Sequence, residues 1–147
     1  MERLRRELAK GQRGSATARW AAYVLQACLA EDDLKTLSAW AKLLGVSYTS
    51  LRESCYMLGI HPHEARDFAR VLRSLIRSSS TEWEPARFLD IADRRTAIAL
   101  LEKAGLNQPA AGRSPLQQFF ETQSFIQQTN LGVLCVMEIV KRLARPE

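Results

Sequence analysis

TLSAWAKLLGVSYTSLRESCYML, residues 36–58, decides how the rest of the chain is read. Leu37, Trp40, Ala41 and Leu44 recur at i, i+3, i+4, i+7, the spacing of one buried helical face, and Thr36 supplies an N-cap before them. Gly45 stops that helix, because glycine adopts the left-handed conformation at helix ends without a Cβ penalty. Ser47 caps a second helix that runs toward Gly59. In it, Leu51, Cys55 and Leu58 fall within about 60° of arc, while Thr49, Arg52, Glu53 and Tyr56 cluster on the opposite side. One stripe anchors and the other is displayed.

Such an arrangement fits a helix-turn-helix, with Gly45-Val46-Ser47 as the tight turn, Ala41 small where the helices approach, and Val46 and Leu51 pinning the second helix to the first. The displayed stripe then lies where a recognition helix enters the major groove. Its chemistry suits base edges: Arg52 forks onto guanine, Thr49 meets an acceptor or a thymine methyl, and Glu53 accepts from cytosine. Ser47 and Tyr48 sit at the helix N-terminus, and Tyr56 reaches toward phosphate.

The wider stretch TLSAWAKLLGVSYTSLRESCYMLGIHPHEARDFARVLR, residues 36–73, resembles the first helix-turn-helix of AraC-type transcription regulators. The Leu51-Arg52 pair, the Gly59-x-x-Pro62 step and the following arginine-bearing helix carry the likeness, which covers about a quarter of the chain. It implies an all-α DNA-binding fold with a linker helix and a second reading unit. The chain departs from that family in two ways. Cys55 stands where the family usually has a large aromatic, and the second unit is hard to find. SYTSLRESCYMLGI at 47–60 is echoed weakly by DRRTAIALLEKAGL at 93–106, each with a capping residue at its start and Gly plus an aliphatic at its end. Residues 62–77 between them would span about 24 Å as one helix, the reach of a linker.

In that degenerate second unit, Arg94 and Arg95 sit at a helix N-terminus suited to phosphate. Ile98, Leu101 and Ala104 are expected to pack inward, with Ala99, Glu102 and Lys103 outward. Arg66, Arg70, Arg73 and Arg77 form a stripe opposite Phe68, Leu72, Leu75 and Ile76, and the reading is that this stripe contacts phosphate.

Composition agrees with a folded helical protein. The 147 residues are 46% hydrophobic and 25% charged, and no run of alternating β-branched residues suggests a strand. Net charge is +5, concentrated in residues 1–19, with six basic and two acidic side chains, and in 61–80, with four arginines against two acids. That distribution points to a polyanion partner. The expected organisation is a basic N-terminal arm (1–14), helical over its first ten residues but without a fixed fold of its own, a helix-turn-helix domain (15–106), and a C-terminal helical extension (107–147). A first firm helix is expected at about 17–30, two more near 85–92 and 94–104, and a Pro/Gly-bearing connection at 107–114. The apolar extension continues to Ala144, with Gly132 as its dividing point, and residues 115–144 are expected to mediate homodimerisation.

Cys28, Cys55 and Cys135 sit singly in apolar helical patterns and read as reduced core residues. His61-Pro62-His63 reads as a loop entering a helix at Pro62, with Glu64 near its positive end, rather than as a metal site. Trp20, Trp40 and Trp83 read as core. No metal, cofactor or catalytic constellation is expected, so an enzyme is disfavoured. No apolar run approaches a membrane span, and a cytoplasmic location is expected. The main reading is a sequence-specific transcription regulator that binds double-stranded DNA. The competing one is a protein-binding adaptor that keeps the scaffold and uses Tyr56, Met57 and the C-terminal helices to hold another protein.

Overall fold

Ala16–Leu29 (α2) has almost no polar side, which forces it to the centre of any water-soluble arrangement. In a computed structural model, which describes residues 2–107 and 112–144, it buries eight residues, among them Trp20, Tyr23, Val24 and Cys28. Around it lie Glu2–Gln12 (α1), Leu37–Leu44 (α3), Tyr48–Tyr56 (α4), Pro62–Ser78 (α5) and Leu131–Ala144 (α8), each packed against it. A 3-10 turn at Pro85–Phe88, Arg94–Lys103 (α6) and Pro115–Thr122 (α7) complete the chain. The described residues are all-helical, with no strand.

Helix α5 is the second organiser, touching α2, α3, α4, α6, α7 and the 3-10 turn. Pro62 occupies its first turn, where a missing N–H costs nothing, and the His61 ring accepts from the His63 N–H at 3.3 Å. Glu64 stands in the first turn and pairs with Lys103 at 2.8 Å, tying the start of α5 to the end of α6.

Several sequence expectations are corrected. The N-terminal arm is helical as expected but has a fixed seat: Leu4 and Leu8 share one face and are buried in the common core, worth about 1.5–3 kcal/mol each. The expected helix at 85–92 is the four-residue 3-10 turn, and Trp83, expected in the core, is 57% exposed, its ring lying against the Phe88 ring and the Arg87 guanidinium. The C-terminal region breaks at 123–130, not at Gly132. Buried Gln123 organises the break, its Oε1 accepting from the Phe125 and Ile126 N–H groups and its Nε2 donating to the Ile126 carbonyl. Gly132 instead lets α8 approach α2, since a Cβ there would lie 2.6 Å from the Trp20 ring. Of the 107–114 connection, residues 108–111 lie outside the described residues.

The core does not stop at either expected domain boundary. Leu4 and Leu8, Trp20, Phe68, Phe119, Phe125, Val133, Val136 and Val140 all belong to one buried cluster. The apolar side chains of 115–144 that prompted the homodimer expectation are thus largely spent inside the monomer, leaving Leu131, Leu134 and Leu143 exposed. No helix among the described residues is long and apolar enough to cross a membrane.

Candidate nucleic-acid interface

The turn between α3 and α4 is built as its residues dictate. Thr36 Oγ1 accepts from the Ala39 N–H at 3.0 Å to start α3, and the indole of Trp40 donates to the Tyr23 carbonyl at 3.0 Å, fixing α3 on α2. Gly45 adopts φ 72°, and the Val46 N–H then reaches back to the Ala41 carbonyl at 3.1 Å, satisfying one of the last open carbonyls of α3. Ser47 starts α4 by accepting from the Ser50 N–H at 3.0 Å. Leu51 and Cys55 are fully buried, so α4 has no freedom to rotate about its axis.

That rotation leaves Tyr48, Thr49, Arg52, Glu53, Tyr56 and Met57 exposed. Among them Arg52 is held in place. Its guanidinium lies 5.6 Å from the Tyr48 ring centre and 5.8 Å from that of Tyr56, and donates to the Tyr56 hydroxyl at 3.4 Å. No carboxylate among the described residues forms an ion pair with it. The result is a cation fixed between two aromatic rings on an open helical face, with donors to spare.

The arginine stripe of α5 is a correction. Arg73 is only 4% exposed, and donates to the carbonyls of Ala30 at 3.1 Å, Phe88 at 2.9 Å and Glu31. Arg77 donates to the Ala30 carbonyl as well. Arg70 forms a two-pronged pair with Asp33 at 2.9 and 2.7 Å, and Arg66 pairs with Asp67 at 3.1 Å. Arg73 and Arg77, with Arg70 on Asp33 just beyond, close the C-terminal end of α2, whose last carbonyls lack intrahelical partners and whose dipole favours cations, while Arg66 stays within α5. Burial, with Arg77 beside it, pushes the Arg73 guanidinium below its ordinary pKa. A phosphate clamp on Arg70 and Arg73 does not survive this geometry. The signal that pointed to it was in the sequence: EDD at 31–33 follows a helix end that needs cationic donors.

The second unit is corrected in part. Arg94 and Arg95 are exposed at the N-terminus of α6, but Asp93 already occupies that end, accepting from the Arg95 N–H at 3.0 Å and the Thr96 hydroxyl at 3.1 Å. Its carboxylate opposes a phosphate there. Ala97 and Ala104 are buried and Leu100 and Leu101 half-buried, whereas Ile98, expected inward, is 41% exposed. The inward face is therefore 97, 100, 101, 104, turned from the expected one toward α5 and the 3-10 turn, against which α6 rests.

The three cysteines are free thiols, and burial pushes Cys28 up to about 12 and Cys55 up to about 11. Below the ordinary thiol value of 9.0 both folded and unfolded chains are protonated and nothing is lost; above it the unfolded chain ionises first and the fold loses stability until the buried thiols titrate, near 11–12. The melting temperature is expected to fall from about pH 9 upward, and a Cys28→Val, Cys55→Val double variant to flatten that fall. An unchanged slope in thermal melts would place the alkaline loss elsewhere. No group of three or more His, Cys, Asp or Glu capable of holding a metal occurs among the described residues.

No family model, no curated protein and no solved structure matches the chain.

Proposed function

We propose that the chain is a sequence-reading DNA-binding regulator of transcription acting in the cytoplasm, in which α3, the Gly45 turn and α4 form a helix-turn-helix and α4 enters the major groove. The AraC-type likeness of residues 36–73 belongs to the same proposal, for the first unit alone. The observation that supports it most is Arg52, held between Tyr48 and Tyr56 and without a carboxylate partner. A guanidinium ordered before binding loses less rotamer entropy when it forks onto the O6 and N7 of guanine. Thr49 and Glu53 flank it on the same face, and Ser47 and Tyr48 present the α4 N-terminus to a neighbouring phosphate.

Selection from a random duplex pool should return an enriched motif. On that motif Arg52→Ala is expected to cost about 1–3 kcal/mol and to relax preference at one position, as read by fluorescence anisotropy. Equal loss on every duplex would assign Arg52 to phosphate instead.

A second reading has one observation in its favour. The Asn130 side chain donates to the Leu58 carbonyl at 2.9 Å, tying the start of α8 to the end of α4, where Met57 is 65% and Leu131 67% exposed. Two large apolar side chains beside that joint suit a protein partner. Under this reading, Met57→Ser with Leu131→Ser abolishes capture of the partner and leaves duplex binding unchanged.

A further inference from the structure

With the α5 arginines turned inward, the positive charge available to a duplex lies elsewhere. Helix α1 places Leu4 and Leu8 against the core, and at 100° per residue Arg3, Arg6 and Lys10 fall within about 60° of arc on its opposite side, with Arg13 in the turn that follows the helix. Arg6, Lys10 and Arg13 are exposed, and among the described residues none of the three forms an ion pair with a carboxylate. Lys35, Arg66, Arg70, Lys103 and Arg113 each pair with a carboxylate, whereas Lys42, Arg52, Arg94, Arg95, Lys141 and Arg142 are exposed and, among the described residues, form no such pair either.

Two tethers hold this ridge. The Gln12 side chain donates to the Leu44 carbonyl at 3.4 Å, and Arg19 donates to the carbonyls of Gln12 and Gly14, both at 3.3 Å. The end of α1 is therefore fixed to the residue before the Gly45 turn. From Leu44 to Tyr48, where α4 begins, is four residues, at most about 14 Å of chain.

We propose that the outward face of α1 is a second duplex contact, a ridge on which Arg6, Lys10 and Arg13 neutralise the sugar–phosphate backbone flanking the stretch read by α4. This rests on the reading of α4 as the recognition helix. Arg6 to Lys10 spans about 6 Å of helix axis and Arg13 follows in the turn after it, together enough for two or three successive phosphates. Cations on a fixed helix, with Glu2 as the one acid on the same side, carry no hydrogen-bond pattern that distinguishes bases, so they supply affinity and register, not sequence preference. An anionic lipid surface is the weaker fit, because such helices bind membranes through an apolar face, and Leu4 and Leu8 are already buried in the core.

The test compares full-length protein with the triple variant Arg6→Gln, Lys10→Gln, Arg13→Gln on the selected duplex and on a random duplex across a salt series. The variant is expected to bind both about tenfold or more weakly, by similar factors, with a log–log salt slope shallower by about two to three and an unchanged base preference. Arg6→Lys with Arg13→Lys keeps the charge and is expected to keep the wild-type slope; if it does not, charge neutralisation is not the role of the ridge. Wild-type slope in the triple variant overturns the ridge while leaving α4 intact. So does transfer of the slope change to Arg94→Gln with Arg95→Gln. Binding to phosphatidylglycerol vesicles that depends on the three residues, with duplex binding that does not, assigns the face to lipid and overturns the proposal. Wild-type protein without any sequence preference removes the α4 reading, which is a separate result from a silent triple variant.

Discussion

Arg73→Ala is expected to destabilise the fold by about 3 kcal/mol, lowering the melting temperature by about 6–12 °C for a chain of this size. The loss has two parts. Three carbonyls, those of Ala30, Glu31 and Phe88, lose a charged donor at once. Beyond that, the removed side chain leaves space between the C-terminal end of α2, α5 and the 3-10 turn. The same substitution separates two roles for the α5 arginines. If Arg73 acts only as the staple described above, DNA affinity measured below the variant's melting temperature is unchanged. A loss of affinity in a fully folded variant would return Arg73 to the phosphate contacts.

Gly105→Ala is expected to cost about 2–5 kcal/mol, and Gly45→Ala only about 1–2, although the two glycines have nearly the same backbone conformation, φ 76° and φ 72°. The shared part is the left-handed conformation, which a Cβ penalises at either site. The difference is packing. Nothing lies within 4 Å of a Cβ built on Gly45, whereas one on Gly105 would overlap the Thr122 hydroxyl and come 2.5 Å from Thr122 Cβ. Thr122 cannot easily withdraw, because its hydroxyl donates to the Gln118 carbonyl at 2.7 Å and the Ala104 carbonyl at 3.1 Å. The Gln118 side chain also donates to the Gly105 carbonyl at 2.7 Å, so the strain falls on the joint between α6 and α7. Equal melting temperatures for the two variants would show that the joint yields freely.

What was legible at the candidate site, and what was not, follows from the range of the interactions involved. Thr36, Gly45, Ser47 and Pro62 fix helix ends through partners two to four residues away, so α3, the turn, α4 and the start of α5 can be read directly. The displayed face of α4 is legible for the same reason: once Leu51 and Cys55 are buried, helical geometry alone sends Thr49, Arg52, Glu53 and Tyr56 outward. The clamp of Tyr48 and Tyr56 on Arg52 is also local, since each tyrosine lies four residues from it.

The fate of the arginines was not local. Arg66, Arg70, Arg73 and Arg77 share one side of α5 in the sequence, but a helix at the centre of a domain has neighbours on that side too. Asp33, Ala30 and Phe88 come from up to 47 residues away to meet Arg70, Arg73 and Arg77, while Arg66 pairs with its neighbour Asp67. The helix within residues 1–14 is legible, but its fixed seat is not, for the converse reason. Leu4 and Leu8 are too few to make a helix stable alone, and only the α2 surface gives them something to bury against. The sequence by itself determined the all-helical class, the ends of α3 and the starts of α4 and α5, and the open face of α4, because backbone hydrogen bonding and 3.6-residue periodicity act within a few residues. Only the tertiary structure decided which cations are spent inside and which stay outside, because that depends on which helix ends and carboxylates the packing brings within hydrogen-bond reach.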